Sequence, residues 1–254
     1  MFNVLDFDEM KETVLNDDDA VFYIPRRVKE IKRHGKKIDI HCEGWEYRRG
    51  IMDIWFNQLN PNLTPAGEKL NMVIRLEVKT EEIVRLRLVR GDEIKERTTP
   101  MVVEHFSEVK VDYDYQKEDD QVLIKTDKLN ITIEKDPVNI GIEDKEGQEL
   151  LKQYNYDKHA INELIKYQGE ARNDYSSFEC YPFGLAENLK TGKSAAFDAI
   201  CLKHNENFYG LGEKFTDINK RGQEVLGWQV DALGTSTQKS YKNVPFFMSS
   251  KGYG

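Results

Sequence analysis

The sequence predicts an all-β chain, a large antiparallel β-sandwich with few short helices, and three observations carry that expectation. Apolar and polar residues alternate along several short segments, polar turns separate those segments, and stretches with the period of an amphipathic helix are scarce. Half-buried strands joined by short turns, without helical crossovers, favour antiparallel over parallel pairing. At 254 residues the chain is long enough to bury a substantial core. No low-complexity linker or solenoid-length repeat divides it, so a single domain is expected over 1–254.

Taken in order, the first strand signals lie in 20–56. Ile38, Ile40 and Cys42 alternate with Lys37, Asp39 and His41, which predicts a strand with one wet face. Trp45 and Trp55 bracket a polar turn over 46–50. A pair of tryptophans there would serve as a sugar platform or as packing at strand ends, and packing is the commoner use. Pro61 and Pro65 exclude a central strand or helix interior from 57–70. Met72, Ile74, Leu76 and Val78 then alternate with Val73, Arg75, Glu77 and Lys79, as do Leu86 and Leu88 with Arg85 and Arg87, and a turn over 80–82 makes the two runs a hairpin. Val122 and Ile124, then Leu129, Ile131 and Ile133, then Val138, Ile140 and Ile142 predict a meander with turns at Asp127-Lys128 and Asp136-Pro137. Residues 158–168 have helical spacing, with Ala160, Ile161, Leu164 and Ile165 on one face.

Several function classes are excluded. With 37 basic against 45 acidic residues the net charge is −8, and no basic run interleaved with aromatics provides a footprint for nucleic acid. The first residues lack the basic and apolar regions of a secretory signal, and no run approaches the roughly 20 apolar residues of a membrane span. Three widely spaced cysteines, Cys42, Cys180 and Cys201, fit reduced thiols better than a disulfide framework, so a soluble, cytoplasmic protein is expected. The five histidines are scattered, and the acidic run over 104–121 lacks the spacing of a calcium loop, so no metal site is expected. Gly192-Lys193-Ser194 imitates the end of a phosphate-binding loop, but Glu187 stands where its first glycine belongs and strand-like residues follow. No cofactor is implied.

The stretch 208–254 differs from the rest in holding seven of the 17 glycines and eight of the 27 aromatic residues. Glycine supplies positive φ and close backbone approach, and Trp228, Tyr241, Phe246 and Phe247 supply rigid contact area, a combination that suits a loop shaped to a ligand or a tightly packed hairpin. Within it FYGLGEKF (208–215), KRGQ (220–223), GWQVDALGTST (227–237), YKNVPFFMS (241–249) and KGYG (251–254) follow one another. Taken together this series closely resembles the N-terminal domain of glycoside hydrolase family 31, with the bacterial α-xylosidases as the nearest branch. Trp228-Gln229-Val230-Asp231 fills the family's W-N-x-D-type tetrad, with Gln where Asn is frequent.

The resemblance implies a galactose-mutarotase-like sandwich at the start of a longer enzyme, whose C-terminal (β/α)₈ barrel carries the acid and nucleophile of a retaining α-glycosidase. The chain contains no copy of the nucleophile motif, so no catalytic residue is assigned within it. The partners implied are an oligosaccharide or α-glycoside substrate and the chain's own barrel; whether the full enzyme is a homo-oligomer stays open. Asp231 matches the loop aspartate that accepts hydrogen bonds from sugar hydroxyls, against the alternative of a turn residue before Gly234. Trp228 is either a stacking wall for substrate or a buried plug. Lys242 and Asn243 are expected to fix the loop rather than touch sugar. Two other readings remain: a free-standing carbohydrate-binding module, which a short reading frame would support, and a domain that serves folding or assembly.

Overall fold

The structure is a computed structural model that describes residues 20–48, 69–96, 110–153, 183–227, 229 and 240–254. The helical spacing at 158–168, Trp55, the prolines of 57–70, and both Trp228 and Asp231 lie outside the described residues. The chain divides into two compact units, Met1–Ile200 and Cys201–Gly254.

The first unit is built from two antiparallel sheets. One runs β11-β10-β1-β2-β3-β4, formed by β1 (Ala20–His34), β2 (Lys37–Arg48), β3 (Lys69–Val78), β4 (Val84–Arg90), β10 (Phe183–Asn188) and β11 (Ser194–Asp198). The other is the meander β5-β6-β7-β8-β9, formed by β5 (Asp114–Lys117), β6 (Gln121–Lys125), β7 (Leu129–Lys135), β8 (Val138–Asp144) and β9 (Glu149–Lys152). Ile38, Ile40, Met72, Ile74 and Leu76 of the first sheet meet Val122, Ile124, Ile131, Ile133 and Ile140 of the second in one apolar cluster, each of them at most 1% exposed. That seam makes the unit a two-layer sandwich, as the alternation predicts, and among the described residues there is no helix. Cys42 lies in the seam as a free thiol, and burial pushes it up to about 12.

One local device recurs at the hairpin ends. Thr80 Oγ1 accepts from the amides of Glu82 and Ile83, Thr126 Oγ1 from Lys128 and Leu129, Asp144 Oδ1 from Glu146 and Gln148, and Asn188 Oδ1 from Lys190 and Thr191. A short polar side chain at the start of each turn occupies amides that the ladder cannot use, which stops the strand and reverses the chain. The last of these turns is the Gly192-Lys193-Ser194 stretch, a reversal between β10 and β11 with Gly192 at φ +67°. The first strand contains Pro25, where a missing donor would break a regular ladder. The β1–β2 register shifts between Pro25 and Arg27, so the proline sits at a bulge.

Two expectations are corrected. The segment 46–50 is not a turn as far as Arg48, because β2 continues through it, with Glu46, Tyr47 and Arg48 paired to Tyr23, Phe22 and Val21. Trp45 itself packs, with the Arg26 guanidinium 5.0 Å from its ring centroid and its indole N–H donating to Glu43. The second correction concerns the wet face of β2. Asp39 is 8% exposed, Arg75 9% and Glu77 3%, so the polar face is buried at these three charges, while Lys37 and His41 are half-buried.

Burial of those charges is possible because they neutralise one another across strands. Arg75 lies directly opposite Asp39 and donates to both its oxygens at 2.5 and 2.6 Å, and donates to Glu96 at 2.6 Å. Arg87 bridges Glu77 at 3.1 Å and Glu96 at 3.3 Å, and Lys37 reaches Glu96 at 2.7 Å. The Arg75 hydrogen bonds hold the Asp39 carboxyl below its ordinary value against the opposing effect of burial. Removing Asp39 takes the bidentate partner from the buried Arg75 and leaves the half-exposed Glu96 to offset part of its charge. Asp39→Ala should therefore destabilise the sandwich by about 3–5 kcal/mol, read as a lower denaturant midpoint. Because the folded-state pKa lies below the unfolded value of about 3.9, the stabilisation from Asp39 is complete above that pH and is lost as pH falls through the folded pKa. Acid titration of the melting temperature should show this loss in the parent protein and a shallower one in Asp39→Ala.

Candidate functional site

The second unit is organised by one close backbone approach. Strand β12 (Phe208–Gly210) pairs antiparallel with β13 (Phe247–Ser249), and the pairing is prolonged by Leu211 N–H to Phe246 O at 2.8 Å and Glu213 N–H to Lys242 O at 3.0 Å. Along this path Gly210 has φ +110° and Gly212 φ +87°. A β-carbon on Gly210 would lie 2.8 Å from Phe246 O, and one on Gly212 would lie 2.3 Å from Lys242 O. Both glycines of the YGLGE run are thus required twice, by torsion and by contact. Phe208, Phe247 and Tyr253 stack edge to face around the pair, at centroid distances of 5.5 and 6.3 Å.

Beneath these rings Glu206 is fully buried. It accepts from the Ser249 hydroxyl and from the Lys203 amide at 2.9 Å, while Arg221 donates to the Lys203 and Glu206 carbonyls. Burial pushes this carboxyl up, but its hydrogen bonds, that of Ser249 foremost, outweigh burial and hold it below the usual carboxylate range. Asn219 ties the same corner by accepting from the Phe208 amide and donating to Asn207. Lys220, 8% exposed, donates to Thr216 Oγ1 and to the Asp217 carbonyl. The KRGQ run is accordingly a structural corner.

Gln229 is exposed and makes an isolated parallel bridge to Ser240, so the chain on either side of 230–239 is brought together. Lys214 stands at that point and donates to the Leu226 carbonyl at 2.6 Å, to Ser240 Oγ at 3.1 Å and to Asn243 Oδ1. Asn243 is thus a fixing residue. Lys242 contributes its carbonyl to Glu213, and its ammonium makes an exposed ion pair with the Glu213 carboxylate at 3.4 Å. Lys214, Ser240 and Glu206 are not marked by the sequence: a lysine is read as a surface charge unless something shows its acceptors, and these lie far along the chain. Among the described residues no group of three or more His, Cys, Asp or Glu could hold a metal ion.

Comparison with known proteins addresses the family. The chain is 52% identical over 76 residues to the alpha-xylosidase XylQ of Lactiplantibacillus pentosus, a match spanning 30% of this chain and 10% of that protein. Its fold is similar to that of the cycloalternan-forming enzyme of Listeria monocytogenes, solved with a pentasaccharide substrate, with TM-score 0.60 and 17% identity over 91% of this chain and 17% of the other. A GH31 dextranase of Flavobacterium johnsoniae, solved with glucose, gives TM-score 0.56 and 19% identity over 90% of this chain and 22% of the other. At such identities the two structures establish the fold alone. The chain spans no more than about a fifth of the length of these relatives. The family described as the glycosyl hydrolase 31 N-terminal galactose mutarotase-like domain matches residues 73–254, and the chain belongs to that family.

Proposed function

We propose that the chain is the N-terminal domain of a retaining α-glycosidase, an α-xylosidase in the first instance, and that its 227–239 segment completes the substrate pocket of a C-terminal (β/α)₈ barrel. The observation that carries this reading is the family match over 73–254, and the high local identity to an alpha-xylosidase favours xylose over glucose as the sugar released. In a retaining mechanism one carboxylate attacks the anomeric carbon and a second group protonates the leaving oxygen. Both belong to the barrel in this reading. The domain then contributes binding: Asp231 accepts hydrogen bonds from sugar hydroxyls, which a carboxylate does more strongly than an amide, and Trp228 walls or plugs the same loop. A cytoplasmic setting is proposed from the odd number and wide spacing of Cys42, Cys180 and Cys201.

The second unit supports a covering partner. Leu202, Phe215, Ile218, Tyr241, Val244, Phe246 and Met248 are each between 44% and 80% exposed, a concentration of apolar surface that a barrel packed over the unit would remove from water. A free-standing binding module would leave this surface wet, and the length of the reading frame separates the two.

Two measurements test the proposal. The 254-residue chain by itself should hydrolyse neither aryl α-xylosides nor aryl α-glucosides above background, since both reacting groups of the two-step mechanism lie elsewhere. Turnover by purified chain that a substitution within it abolishes would move the active site into this domain. In the full-length enzyme, Asp231→Ala should lower kcat/KM by roughly 10- to 150-fold, the loss of one charge-assisted hydrogen bond of about 1.5–3 kcal/mol, with the melting temperature nearly unchanged. Lower melting with normal kcat/KM would make Asp231 a turn residue instead.

A further inference from the structure

Lys214 follows the Gly210–Glu213 turn directly, and its backbone is held in place by its neighbours. Glu213 N–H bonds the Lys242 carbonyl, and Gly212 lies against 242–244 so closely that no side chain fits. From that fixed base the ammonium reaches oxygens on two segments that are distant in sequence. Leu226 O precedes the tetrad by one residue, at Gly227, while Ser240 Oγ and Asn243 Oδ1 follow the TST stretch. Ser240 is fully buried, and Asn243 Nδ2 in turn donates to its carbonyl at 3.4 Å, so the acceptors on the far side are themselves tied together. An ammonium suits this position because it offers several donors from one point and no acceptor, whereas a guanidinium would need a planar arrangement of oxygens. Burial lowers the affinity of this amine for its proton, and Lys220 adds to the effect.

We propose that Lys214 is a positioning residue: a single ammonium ties Leu226 to Ser240 and Asn243, the residues that flank 227–239, and the sugar-binding role of that segment depends on this tie. The sugar-binding consequence rests on the function proposed above, but the clamp itself does not. Lys214 touches no sugar in this scheme. Its effect on catalysis passes through the loop, and misplacement by about 1 Å can cost of the order of 100-fold in rate.

The two parts are tested separately. In the 254-residue chain, Lys214→Met should accelerate amide hydrogen exchange over 227–239 several-fold while the amides of β3 and β7 keep their protection. Unchanged exchange over 227–239 overturns the clamp whatever the loop does. In the full-length enzyme, Lys214→Met should raise KM and lower kcat/KM by roughly 10- to 100-fold, with Lys214→Arg recovering part of the loss. Combined with Asp231→Ala it should cost little more than the worse single variant, because both act on one contact. Losses that multiply would mean that Lys214 acts on something other than the Asp231 loop, and the positioning role would fall. If Asp231→Ala alone has no kinetic effect, the sugar-contact reading fails and the exchange result still decides the clamp. Should Lys214→Met not fold, Ser240→Ala and Asn243→Ala each remove one acceptor and keep the lysine. They should shift exchange and KM in the same direction by a smaller factor, and parent-like values in both variants would refute the proposal.

Discussion

At Gly210 and Gly212 the backbone approaches that of 242–247 more closely than a β-carbon permits, and the architecture of the second unit follows from that contact. It requires glycine at 210 and 212, it fixes where Glu213 and Lys214 leave the turn, and it sets two stretches of chain side by side whose intervening residues include the tetrad. The aromatic stacking of Phe208, Phe247 and Tyr253 packs around this arrangement. Loops that serve a binding site gain precision when their stems are rigid, because a mobile stem must be ordered again at each binding event. Here rigidity comes from backbone packing and buried polar contacts rather than from a large apolar core, which a unit of this size could not supply.

The first unit solves a different problem. Around Asp39, Arg75 and Glu77 its β2–β3 region is buried on both faces, aliphatic on the side toward the second sheet and ionic on the other. A continuous aliphatic face on both sides would leave a sticky surface wherever cover is incomplete. Charges that pair in register across β2, β3 and β4 permit close approach and still tolerate water at the margin, where Glu96 stands about half exposed. Ion pairs of this kind contribute less to net stability than their number suggests, since desolvation offsets much of the attraction. Their geometric demand is nonetheless strict: slipping β3 by one residue would set Arg75 against the aliphatic seam.

What the sequence revealed divides along the same line. The meander at Val122, Ile131 and Ile140 and the 72–88 hairpin were legible because one residue in two is aliphatic and the turns carry Thr, Asp or Asn, so pattern and turn chemistry agree. The wet face of β2 was misread at Asp39, which looks solvent-facing one strand at a time; only the register that sets it opposite Arg75 reveals the pairing. Glu46 to Arg48 resembled a turn by composition, yet β1 offers partners that continue the strand. At the site, Gly210, Gly212 and Asn243 were readable from the motif. Lys214 was not, because its acceptors are 12, 26 and 29 residues further along the chain.

The thiol of Cys42 lies in the seam between the two sheets, and its pKa of about 12 leaves almost no thiolate at neutral pH. Alkylating reagents and disulfides attack the thiolate, so this sulfur is chemically silent for as long as the sheets stay together. Parting of the layers would lift both protections at once, restoring solvent access and an ordinary acidity. Nature has thereby left in the centre of the sandwich a label that reacts on the schedule of the sheets' separation, and its modification rate can report how often the two layers open under native conditions.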